Sequence, residues 1–495
     1  MRIDDLMSES GVAFGTSGAR GPAAAMTDRV CWTYTLGFLQ YLRACGRIGA
    51  AGEVGLAGDL RPSSGRILAA CTAAVTAMGL RPRYFGRIPS PALAAFGIAA
   101  GIPTMMVTGS HIPDDRNGIK FNRPDGEILK DDEAGIRAQR VEVPPGMFTP
   151  AGAFVPGRGS DLPPHDGAAL DAYVARYLGF FPRDCLAGVR VGLYEHSTVA
   201  REPLLAILTG LGAEVARLGR SEAFIPVDTE AVRPEDVALA REWAADGRFD
   251  ALVSADGDGD RPLVADAQGH WLRGDVAGIL CARALGAVGV VTPVSSNTAL
   301  ERCGWFARVV RTRIGSPYVI AGMAELGAEG LAPIVGYEAN GGFLTATDIV
   351  ADDRRLPALP TRDAAIVAVT LLAAGPGRGR PLSALVGNLP ARFTDSDRLK
   401  DFPTEISRAR LAALMTGDGE RDRQAVAGLF AGDFGPVAAL DSTDGLRITF
   451  ASGAIAHLRP SGNAPELRAY TEADSPQAAQ AMTRRCLEIL AGWRR

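Results

Sequence analysis

The nonapeptide PTMMVTGSH, residues 103–111, joins a short apolar run to a glycine, a serine and a histidine. Its apolar part, 103–107, is typical of a buried strand, and the polar part follows at the carboxyl end of that strand. Upstream, residues 54–57 form a second apolar run, and residues 63–78 have the apolar spacing of a helix that begins with a serine cap at Ser63. Strands separated by helices predict a mostly parallel α/β sheet, in which ligands bind at the carboxyl ends of the strands. We therefore expect the loop that contains Ser110 to face a binding site.

The alternation of strands and helices continues beyond this first unit. A second unit is predicted from strands at 190–194 and 249–253 with a helix at 203–209, and a third from strands at 288–292 and 332–335. The final part differs, because it combines a hairpin with a closing amphipathic helix at 476–493. Stretches rich in proline and glycine are typical of linkers and are found at 144–169 and 374–381. The predicted domains span residues 1–158, 159–268, 269–380 and 381–495.

The bulk composition excludes several classes of protein. The chain has 495 residues, which exceeds the roughly 150 residues of one ordinary domain, and its 47% hydrophobic and 22% charged residues are typical of soluble globular proteins. A formal net charge of −4 provides no general basic field for nucleic acid. No apolar run is long enough to predict a membrane span, and the first ten residues lack the apolar segment of a signal peptide. Seven scattered cysteines without a CxxC pair indicate reduced thiols, so we expect a cytoplasmic protein.

The loop 108–120 reads TGSHIPDDRNGIK and offers a nucleophile. A serine hydroxyl reacts poorly unless it is activated or receives a reactive phosphoryl group, and here a strand end, a glycine and His111 place Ser110 at a sharp turn. The alternative is an ordinary turn whose serine and histidine bond to backbone groups. Lys120 favours the first interpretation, since only three of the 52 basic residues are lysines and lysine, unlike arginine, can lose its proton.

The loop Asp256-Gly-Asp-Gly-Asp260-Arg261 predicts a metal site. Each pair of neighbouring carboxylates repels by about 1 kcal/mol in water, and by more when sheltered, so a divalent cation removes a penalty. Hard oxygen ligands are those that Mg²⁺ prefers. The alternatives are a solvated acidic turn and a calcium loop, but no glutamate stands twelfth from Asp256 as a calcium loop requires.

Two further loops carry polar groups that suit a sugar phosphate. The loop 336–343, GYEANGGF, contains Glu338 and Asn340, whose oxygens and amide can bind neighbouring hydroxyl groups; an ordinary glycine turn is the alternative. The loop 459–468, RPSGNAPELR, combines two arginines with a glycine turn and can bind a phosphate dianion; the alternative is a hairpin loop with solvated arginines.

The order of these motifs resembles that of the α-D-phosphohexomutase family along essentially the whole chain. The resemblance begins with FGTSGARG at 14–21 and GDLRPS at 58–63, and the four loops follow in the order that the family has. It implies an α/β fold of four domains, in which three similar mixed α/β sandwich domains and a smaller α+β C-terminal domain surround a central cleft.

The resemblance also implies a role for each predicted site residue. Ser110 is implied to be the phosphoserine and to complete a metal shell with Asp256, Asp258 and Asp260. The groups implied to surround the transferring phosphoryl group are Arg20, His111 and Lys120, and the sequence leaves open which of the last two acts in acid–base steps. The residues implied to bind the sugar hydroxyls and the non-reacting phosphate are Glu338, Asn340, Arg459, Ser461, Gly462, Asn463 and Arg468.

Three loops depart from the family pattern. Ile112 stands where asparagine is common, and Asn463-Ala464 stand where threonine and glutamate are usual. The third departure is in the sugar loop, which reads Glu-Ala-Asn-Gly-Gly where many members have Glu-x-Ser-Gly-His, so that Gly342 replaces the histidine.

The implied activity is the magnesium-dependent interconversion of hexose phosphates through a hexose 1,6-bisphosphate intermediate. The sugar loop and the loop at 459–468 are most similar to those of the bacterial phosphomannomutases in the family, which implies mannose phosphates as substrates. Phosphoglucomutase and phosphoglucosamine mutase activities are the alternatives within this mechanism. A metal-dependent sugar phosphatase and a non-catalytic sensor are the alternatives outside it. We expect a monomer or homodimer that binds neither nucleic acid nor membrane.

Overall fold

The computed structural model describes residues 1–15, 17–461 and 465–494. Its first unit is built on a mixed sheet with helices on both sides. The strands are β1 (Ala13–Phe14), β2 (Gly18–Pro22), β3 (Glu53–Gly58), β4 (Arg81–Tyr84), β5 (Thr104–Val107), β6 (Arg116–Arg123) and β7 (Gly126–Glu127). The helices are α1 (Ile3–Ser10), α2 (Asp28–Ala44), α3 (Ser64–Ala77), α4 (Ser90–Ala100) and α5 (Lys130–Arg137).

The second and third units have smaller sheets. The second contains α6 (Ala168–Phe180), β8 (Arg190–Tyr194), α7 (Arg201–Gly210), β9 (Glu214–Leu218), α8 (Pro234–Ala244), β10 (Ala251–Ala255) and β11 (Pro262–Ala265). The third contains α9 (Gly274–Ala284), β12 (Gly289–Pro293), α10 (Ala299–Arg302), β13 (Arg308–Thr312), α11 (Ser316–Ala328), β14 (Ile334–Tyr337), β15 (Phe343–Thr345), the small hairpin β16 (Ile349–Ala351) and β17 (Arg354–Leu356), and α12 (Ala364–Ala374).

The last unit is an antiparallel sheet covered by helices. It contains α13 (Leu382–Val386), β18 (Phe393–Leu399), α14 (Thr404–Leu414), α15 (Gly419–Phe434), β19 (Val437–Asp441), β20 (Leu446–Phe450), β21 (Ile455–Pro460), β22 (Leu467–Ala473) and α16 (Pro476–Ala491). The strand order is β18-β22-β21-β20-β19, and every neighbouring pair is antiparallel.

The first three units share one strand order. Starting from the antiparallel strand, the order is β6-β5-β3-β4 in the first unit, β11-β10-β8-β9 in the second and β15-β14-β12-β13 in the third. In each unit three parallel strands are followed by one antiparallel strand that pairs with the third of them. Numbered by chain order within a unit, the arrangement is fourth, third, first, second each time. The duplication at which the alternating sequence pattern hints is therefore visible in the topology.

Apolar packing joins the three α/β units, and α13 of the last unit packs onto them through Leu382, whereas the C-terminal sheet has a separate core. One continuous core cluster contains Phe85 from the first unit, Tyr177 from the second and Leu371 from the third, all fully buried. The C-terminal unit has its own cluster, which includes Phe430 and Leu490. Burial of such side chains stabilises each cluster by roughly 1.5–3 kcal/mol per large residue.

Most predicted elements are confirmed, and the errors lie at their ends. The strand predicted at 190–194 and the helix predicted at 63–78 match β8 and α3 closely, but Ser63 makes no side-chain cap bond, so that part of the prediction is wrong. Its hydroxyl instead accepts a hydrogen bond from the Asn117 amide at 2.8 Å. The strands predicted at 249–253 and 332–335 are each displaced by two residues toward the C-terminus in the structure.

The predicted linkers and absences have mixed outcomes. Residues 144–167 are largely irregular, as predicted. The stretch 374–381 is not a linker, because it contains the end of α12 and a 3-10 turn at Pro376–Arg378 that leads into α13. Each of the five sheets in the described residues falls within one of the four predicted domains, whose boundaries remain predictions. All seven cysteines are free thiols. Across the described ranges, no helix has both the length and the apolar character needed to cross a bilayer.

Candidate active site

Three loops in equivalent positions form the candidate site. In each α/β unit the loop between the third strand and the antiparallel fourth strand carries one of the motifs singled out in the sequence. The serine loop, 108–115, lies between β5 and β6; the aspartate loop, 256–261, lies between β10 and β11; and the sugar loop, 338–342, lies between β14 and β15. The shared strand order therefore places the three loops at the same end of the three sheets.

A buried ion pair holds the serine loop in a strained conformation. Ser110 has φ +57°, a left-handed value that costs a non-glycine residue about 1–3 kcal/mol unless its surroundings enforce it. Here the Ser110 amide donates to Thr108 Oγ1 at 2.7 Å, and its carbonyl accepts from Arg61 Nη2 at 2.8 Å. Arg61 in turn pairs with Asp59 at 3.0 Å, and both side chains are fully buried. These contacts fix the direction of the Ser110 hydroxyl.

The serine loop and the aspartate loop are in direct contact. Ser110 Oγ donates to Asp256 Oδ2 at 2.5 Å, although 146 residues separate them. A side chain at Gly257 is excluded, because its Cβ would lie 2.7 Å from the Ser110 carbonyl oxygen. Glycine at 257 thus permits the close approach that brings the hydroxyl to the carboxylates.

The three aspartates form a compact buried cluster that fits a metal ion. Asp256, Asp258 and Asp260 each place a carboxylate oxygen within 4.8 Å of the other two. Asp258 Oδ1 and Asp260 Oδ1 are buried and have no hydrogen-bond partner among the described residues. Burial, together with the two neighbouring carboxylates, raises the pKa of Asp256 well above its usual value. A hard divalent cation supplies both the missing contacts and the missing positive charge, so this cluster is a metal site by its donor chemistry.

Lys120 lies against two of these aspartates. Its Nζ atom is 2.6 Å from Asp258 Oδ2 and 2.6 Å from Asp260 Oδ2. Burial acts to lower the pKa of Lys120, but the two carboxylates outweigh it and leave this pKa above its ordinary value. Lys120 is therefore a cation in this arrangement. The sequence, by using a lysine where arginine is common, had indicated a group that can lose its proton.

A small polar cavity of about 40 Å³ adjoins Ser110. The basic side chains in its wall are those of Arg20, Lys120, Arg261 and Arg362. Burial and the neighbouring Arg261 lower the pKa of Arg20 to about 10, which still leaves it charged at neutral pH. A cavity of this size and charge suits a phosphoryl group bound through charge-assisted hydrogen bonds.

His111 is held in one protonation state by Arg261. Its Nδ1 atom lies 2.9 Å from Arg261 Nη1 and 3.4 Å from Ser110 Oγ. Because a guanidinium only donates, Nδ1 is the acceptor and the ring proton is assigned to Nε2, which lies 4.0 Å from Asp228 Oδ2. Burial, followed by the charge of Arg261, lowers the pKa of His111 to about 3. The imidazole is consequently neutral.

A larger cleft of about 650 Å³ opens beside His111 and reaches the C-terminal unit. Its basic lining residues on the far side include Arg398, Lys400 and Arg468. Arg468 Nη2 lies 3.0 Å from Glu466 Oε2, and Arg398 Nε lies 3.2 Å from the other oxygen of the same carboxylate. The cleft thus runs from His111, the neighbour of Ser110, to a group of cations in another unit.

The other predicted residues of the C-terminal loop lie near this wall or outside the described part of the chain. Arg459 pairs with Asp444 at 2.8 Å, and the Ser461 amide donates to the Glu466 carbonyl at 2.8 Å. Gly462 and Asn463, which were also predicted to bind phosphate, lie outside the described residues.

The predicted sugar-binding residues are packed inward. Glu338 is 4% exposed, and its Oε2 accepts from Arg362 Nη1 at 3.2 Å. Asn340 Oδ1 accepts from the Gly342 amide at 2.9 Å, and its carbonyl accepts from Thr229 Oγ1 at 2.6 Å. Neither side chain belongs to the described lining of the large cleft. The sugar loop is instead joined to the aspartate loop through Arg362, which also donates to Asp260 Oδ2 at 3.0 Å.

Sequence reasoning missed several residues of this site. Arg261 and Arg61 were noted only as parts of motifs, without roles, and Arg362 belongs to no motif. Lys400, one of the three lysines, was not singled out in the sequence, yet it lines the large cleft. The scarcity of lysine that drew attention to Lys120 applies equally to Lys400 and was the available signal.

Known proteins share both the sequence and the fold. Residues 11–142, 273–393 and 407–488 match the family models for phosphoglucomutase/phosphomannomutase alpha/beta/alpha domain I, alpha/beta/alpha domain III and C-terminal domain. The chain is 43% identical to a phosphomannomutase of Sinorhizobium fredii (strain NBRC 101917 / NGR234), over 97% of this chain and 99% of that protein. It is 44% identical to a phosphomannomutase of Salmonella muenchen, over 96% of this chain and 95% of that protein.

Solved structures show the same architecture at lower identity. A phosphoglucomutase/phosphomannomutase family protein from Burkholderia thailandensis superposes with a TM-score of 0.72 at 20% identity, over 97% of each chain. At that identity the likeness concerns the fold alone, whereas the two relatives above 40% identity cover nearly every residue of the chain. The three family models, together with the two relatives above 40% identity, identify the chain as a member of the phosphoglucomutase/phosphomannomutase family, the α-D-phosphohexomutases.

Proposed function

We propose that this protein is a phosphomannomutase that interconverts mannose 6-phosphate and mannose 1-phosphate through a phosphoserine at Ser110. The observation that carries the proposal is the contact between Ser110 Oγ and Asp256 Oδ2 at the edge of a cavity walled by four basic side chains. The two phosphomannomutase relatives support the choice of mannose, because their similarity extends through all four units.

The proposed cycle uses Ser110 as donor and then as acceptor. Phosphorylated Ser110 donates its phosphoryl group to the free hydroxyl of the hexose monophosphate. The bond between Ser110 Oγ and phosphorus breaks as the new P–O bond to the sugar forms, and the net proton change is transfer from the sugar hydroxyl to Ser110 Oγ. The resulting hexose 1,6-bisphosphate turns round in the large cleft and returns its other phosphoryl group to the serine. Such transfers depend on charge neutralisation and in-line positioning more than on covalent help. Arg20, Lys120 and Arg261 supply charge where the phosphoryl group passes.

The two candidate acid–base groups differ in protonation. Lys120 is an ammonium held by Asp258 and Asp260, so it is suited to neutralise charge and to donate a proton to a departing oxygen. His111 is neutral, and its Nδ1 lone pair lies 3.4 Å from Ser110 Oγ. We therefore assign proton donation to Lys120 and the orientation of the serine loop to His111.

Mg²⁺ is the proposed ion at the aspartate cluster. Asp256, Asp258 and Asp260 would hold it, with a phosphoryl oxygen on Ser110 as a further ligand, and when bound it neutralises charge on the transferring group. The carboxylates themselves hold two other groups, because Asp256 accepts a hydrogen bond from the Ser110 hydroxyl and Asp258 accepts one from Lys120.

The C-terminal loop is the proposed site for the phosphate that is not reacting. Arg468 lines the cleft, Arg459 and Ser461 flank it, and Gly462 and Asn463 complete the predicted loop. Arginine binds phosphate through two parallel hydrogen bonds and tolerates either end of the intermediate. Glu338 and Asn340 are proposed to hold the sugar from the opposite side.

The decisive experiment is intact-mass analysis of the purified protein with the modified residue mapped. One phosphoryl group on Ser110, gained from a hexose 1,6-bisphosphate and passed to mannose 6-phosphate, is the expected result. Parallel turnover of mannose, glucose and glucosamine phosphates then tests the sugar, and a wide preference for glucosamine phosphate contradicts the proposal. Release of inorganic phosphate without isomer formation would instead indicate a phosphatase, and binding without turnover or phosphoserine would indicate a sensor.

A further inference from the structure

Gly342 and Arg362 share a single space at the edge of the sugar loop. A Cβ atom at position 342 would lie 2.5 Å from Arg362 Cδ, 2.7 Å from its Cγ and 3.1 Å from its Cβ. Carbon atoms that are not bonded are most stable at about 3.5–4.0 Å, so no side chain fits at 342 while Arg362 occupies its place. The Arg362 side chain therefore passes over Gly342, which stands where many family members have a histidine.

The backbone before Arg362 and after it is firmly anchored. The next residue, Asp363, caps α12 through a bond from the Ala365 amide at 3.0 Å. Its carboxylate also accepts from Tyr173 at 2.5 Å and from Tyr177, both on α6 of the second unit. On the other side Thr361 Oγ1 donates to the buried Glu127 at 2.6 Å. Arg362 thus starts from a point tied to the first and second units.

The guanidinium connects the aspartate loop to the sugar loop. Its Nε donates to Asp260 Oδ2 at 3.0 Å, and its Nη1 donates to Glu338 Oε2 at 3.2 Å. The residue is 4% exposed, so these charge-assisted bonds are sheltered from water. It also lines the small cavity beside Ser110, together with Lys120. One buried cation therefore faces the metal ligands, the sugar loop and the space for the phosphoryl group at once.

We propose that Arg362 is a further catalytic residue, which contacts the transferring phosphoryl group, and that Gly342 is the opening in the sugar loop through which it reaches that group. This inference rests on the proposed function, since it requires a phosphoryl group on Ser110. Arginine suits the role because its planar fork bonds a carboxylate on one edge and a phosphate oxygen on another.

The first test is the single-turnover transfer of phosphate from a hexose 1,6-bisphosphate to Ser110, followed by intact mass. Arg362→Lys keeps the charge but loses the fork, and we expect transfer and kcat to fall by about 10²-fold with KM changed by less than about 3-fold. The matched control is Arg311→Lys. Arg311 is a buried arginine of the same unit that bonds Glu301 at 2.8 Å and does not belong to the described cavity wall. Its variant is expected to retain kcat within about 3-fold of wild type.

The second test is a double-mutant cycle at the shared space. Gly342→Ala should displace Arg362 and lower kcat nearly as far as Arg362→Lys does, whereas in an Arg362→Ala background the same change should have no further effect. Additive losses would show that the two positions act separately and would overturn the role of Gly342. Melting temperatures of all variants identify those that simply unfold.

The outcomes separate this inference from the proposed function. A wild-type chain that carries phosphate on Ser110, with Arg362→Lys equally fast, overturns the inference alone. A fall in melting temperature with unchanged kcat shows a purely structural residue and also overturns it. A wild-type chain that never carries phosphate on Ser110 overturns both.

Discussion

The centre around Ser110 and the C-terminal cation group differ in how their charges are held. At the centre, partners come from different units: Ser110 bonds Asp256, Lys120 bonds Asp258, and every one of these aspartate and serine side chains is at most 2% exposed. In the C-terminal unit two cleft arginines share a carboxylate of their own unit, because Arg468 and Arg398 both bond Glu466, and the Arg468 side chain is 34% exposed. Such exposed pairs contribute only about 0–1 kcal/mol and can be exchanged for a ligand at little cost.

This difference matches the two tasks of a mutase. In the proposed cycle the centre handles the transferring phosphoryl group in the same way in each half, although the phosphoryl group that reacts is a different one each time, so a fixed arrangement lowers the barrier without reorganisation. The non-reacting phosphate is attached to one end of the sugar in the first half of the cycle and to the other end in the second half. Its binding site must therefore accept two geometries. We therefore expect a rigid centre around Ser110 and a clamp, the C-terminal arginines around Arg468, whose contacts can be exchanged for a ligand. Four predictions test this difference.

The largest effect is expected at the nucleophile. Ser110→Ala removes the oxygen that carries phosphate, so turnover should fall by roughly 10⁴-fold or more while hexose phosphate binding, measured by titration calorimetry, persists. Ser8→Ala, an exposed change in α1, is the control and should leave both quantities unchanged. Turnover retained in the Ser110 variant would refute the covalent relay.

A somewhat smaller loss is expected from the metal cluster. Asp258→Asn removes one negative charge next to Lys120 and Ser90, so Mg²⁺ affinity measured by calorimetry and kcat should both fall, kcat by about 10²–10³-fold. The exposed Asp246→Asn serves as the matched control, because Asp246 pairs only at the surface with Arg248 in the described structure. Unchanged Mg²⁺ affinity in the Asp258 variant contradicts the metal assignment.

The clamp should respond in KM rather than in kcat. Arg468→Gln removes a charge that binds the non-reacting phosphate equally in ground and transition states, so KM should rise by about 10-fold with kcat within about 3-fold. Arg485→Gln, which breaks an exposed pair with Asp433 on the same unit, should change neither. If kcat falls as steeply as for Asp258→Asn, the clamp is as rigid as the centre and the comparison above is wrong.

The smallest effect concerns acid stability, for which His196 near the aspartate loop and His457 in the C-terminal sheet each provide a buried imidazole. His196 Nε2 donates to the Ala255 carbonyl oxygen at 2.8 Å, and His457 Nε2 donates to the Asp444 carbonyl oxygen at 2.5 Å. Burial lowers the pKa of each to about 4, from 6.5. The unfolded chain therefore binds protons first as pH falls, and stability is lost between about pH 6.5 and 4, by roughly 3 kcal/mol per histidine.

Melting temperatures between pH 7 and 4.5 measure this loss. His196→Gln and His457→Gln should each flatten the acid dependence, the first for the unit that carries the aspartate loop and the second for the C-terminal unit. An unchanged pH profile in both variants would show that other groups govern the acid transition.

The local parts of the site were predictable from the residues themselves, whereas the contact between Ser110 and the aspartates was expected only from the family resemblance. A strand that ends in TGSH or in DGDGD is a feature of a few consecutive residues, so the serine and aspartate loops could be recognised and placed at strand ends. That Ser110 meets Asp256 follows from two sheets packing together, which periodicity does not encode. The failed cap at Ser63 has the same cause, because Asn117 competes for its hydroxyl from another strand.

Arg362 shows the limit of motif reasoning most clearly. It lies at no strand end, has no glycine beside it, and acquires its position from Asp363 and two tyrosines of α6. The one sign of its position in the sequence is the glycine at 342, and this glycine can be interpreted only together with Arg362, twenty positions away. The two-residue displacement of β10 and β14 has a simpler origin, since apolar spacing marks that a strand exists and not where it stops.

The repeated strand order means that no single unit contains a working centre. Each of the first three sheets offers one loop from the same connection, and nucleophile, metal ligands and sugar loop come from three successive copies. In this respect the chain resembles three linked copies of one unit that have taken different roles. An isolated copy would keep the repeated fold but only one of the three loops.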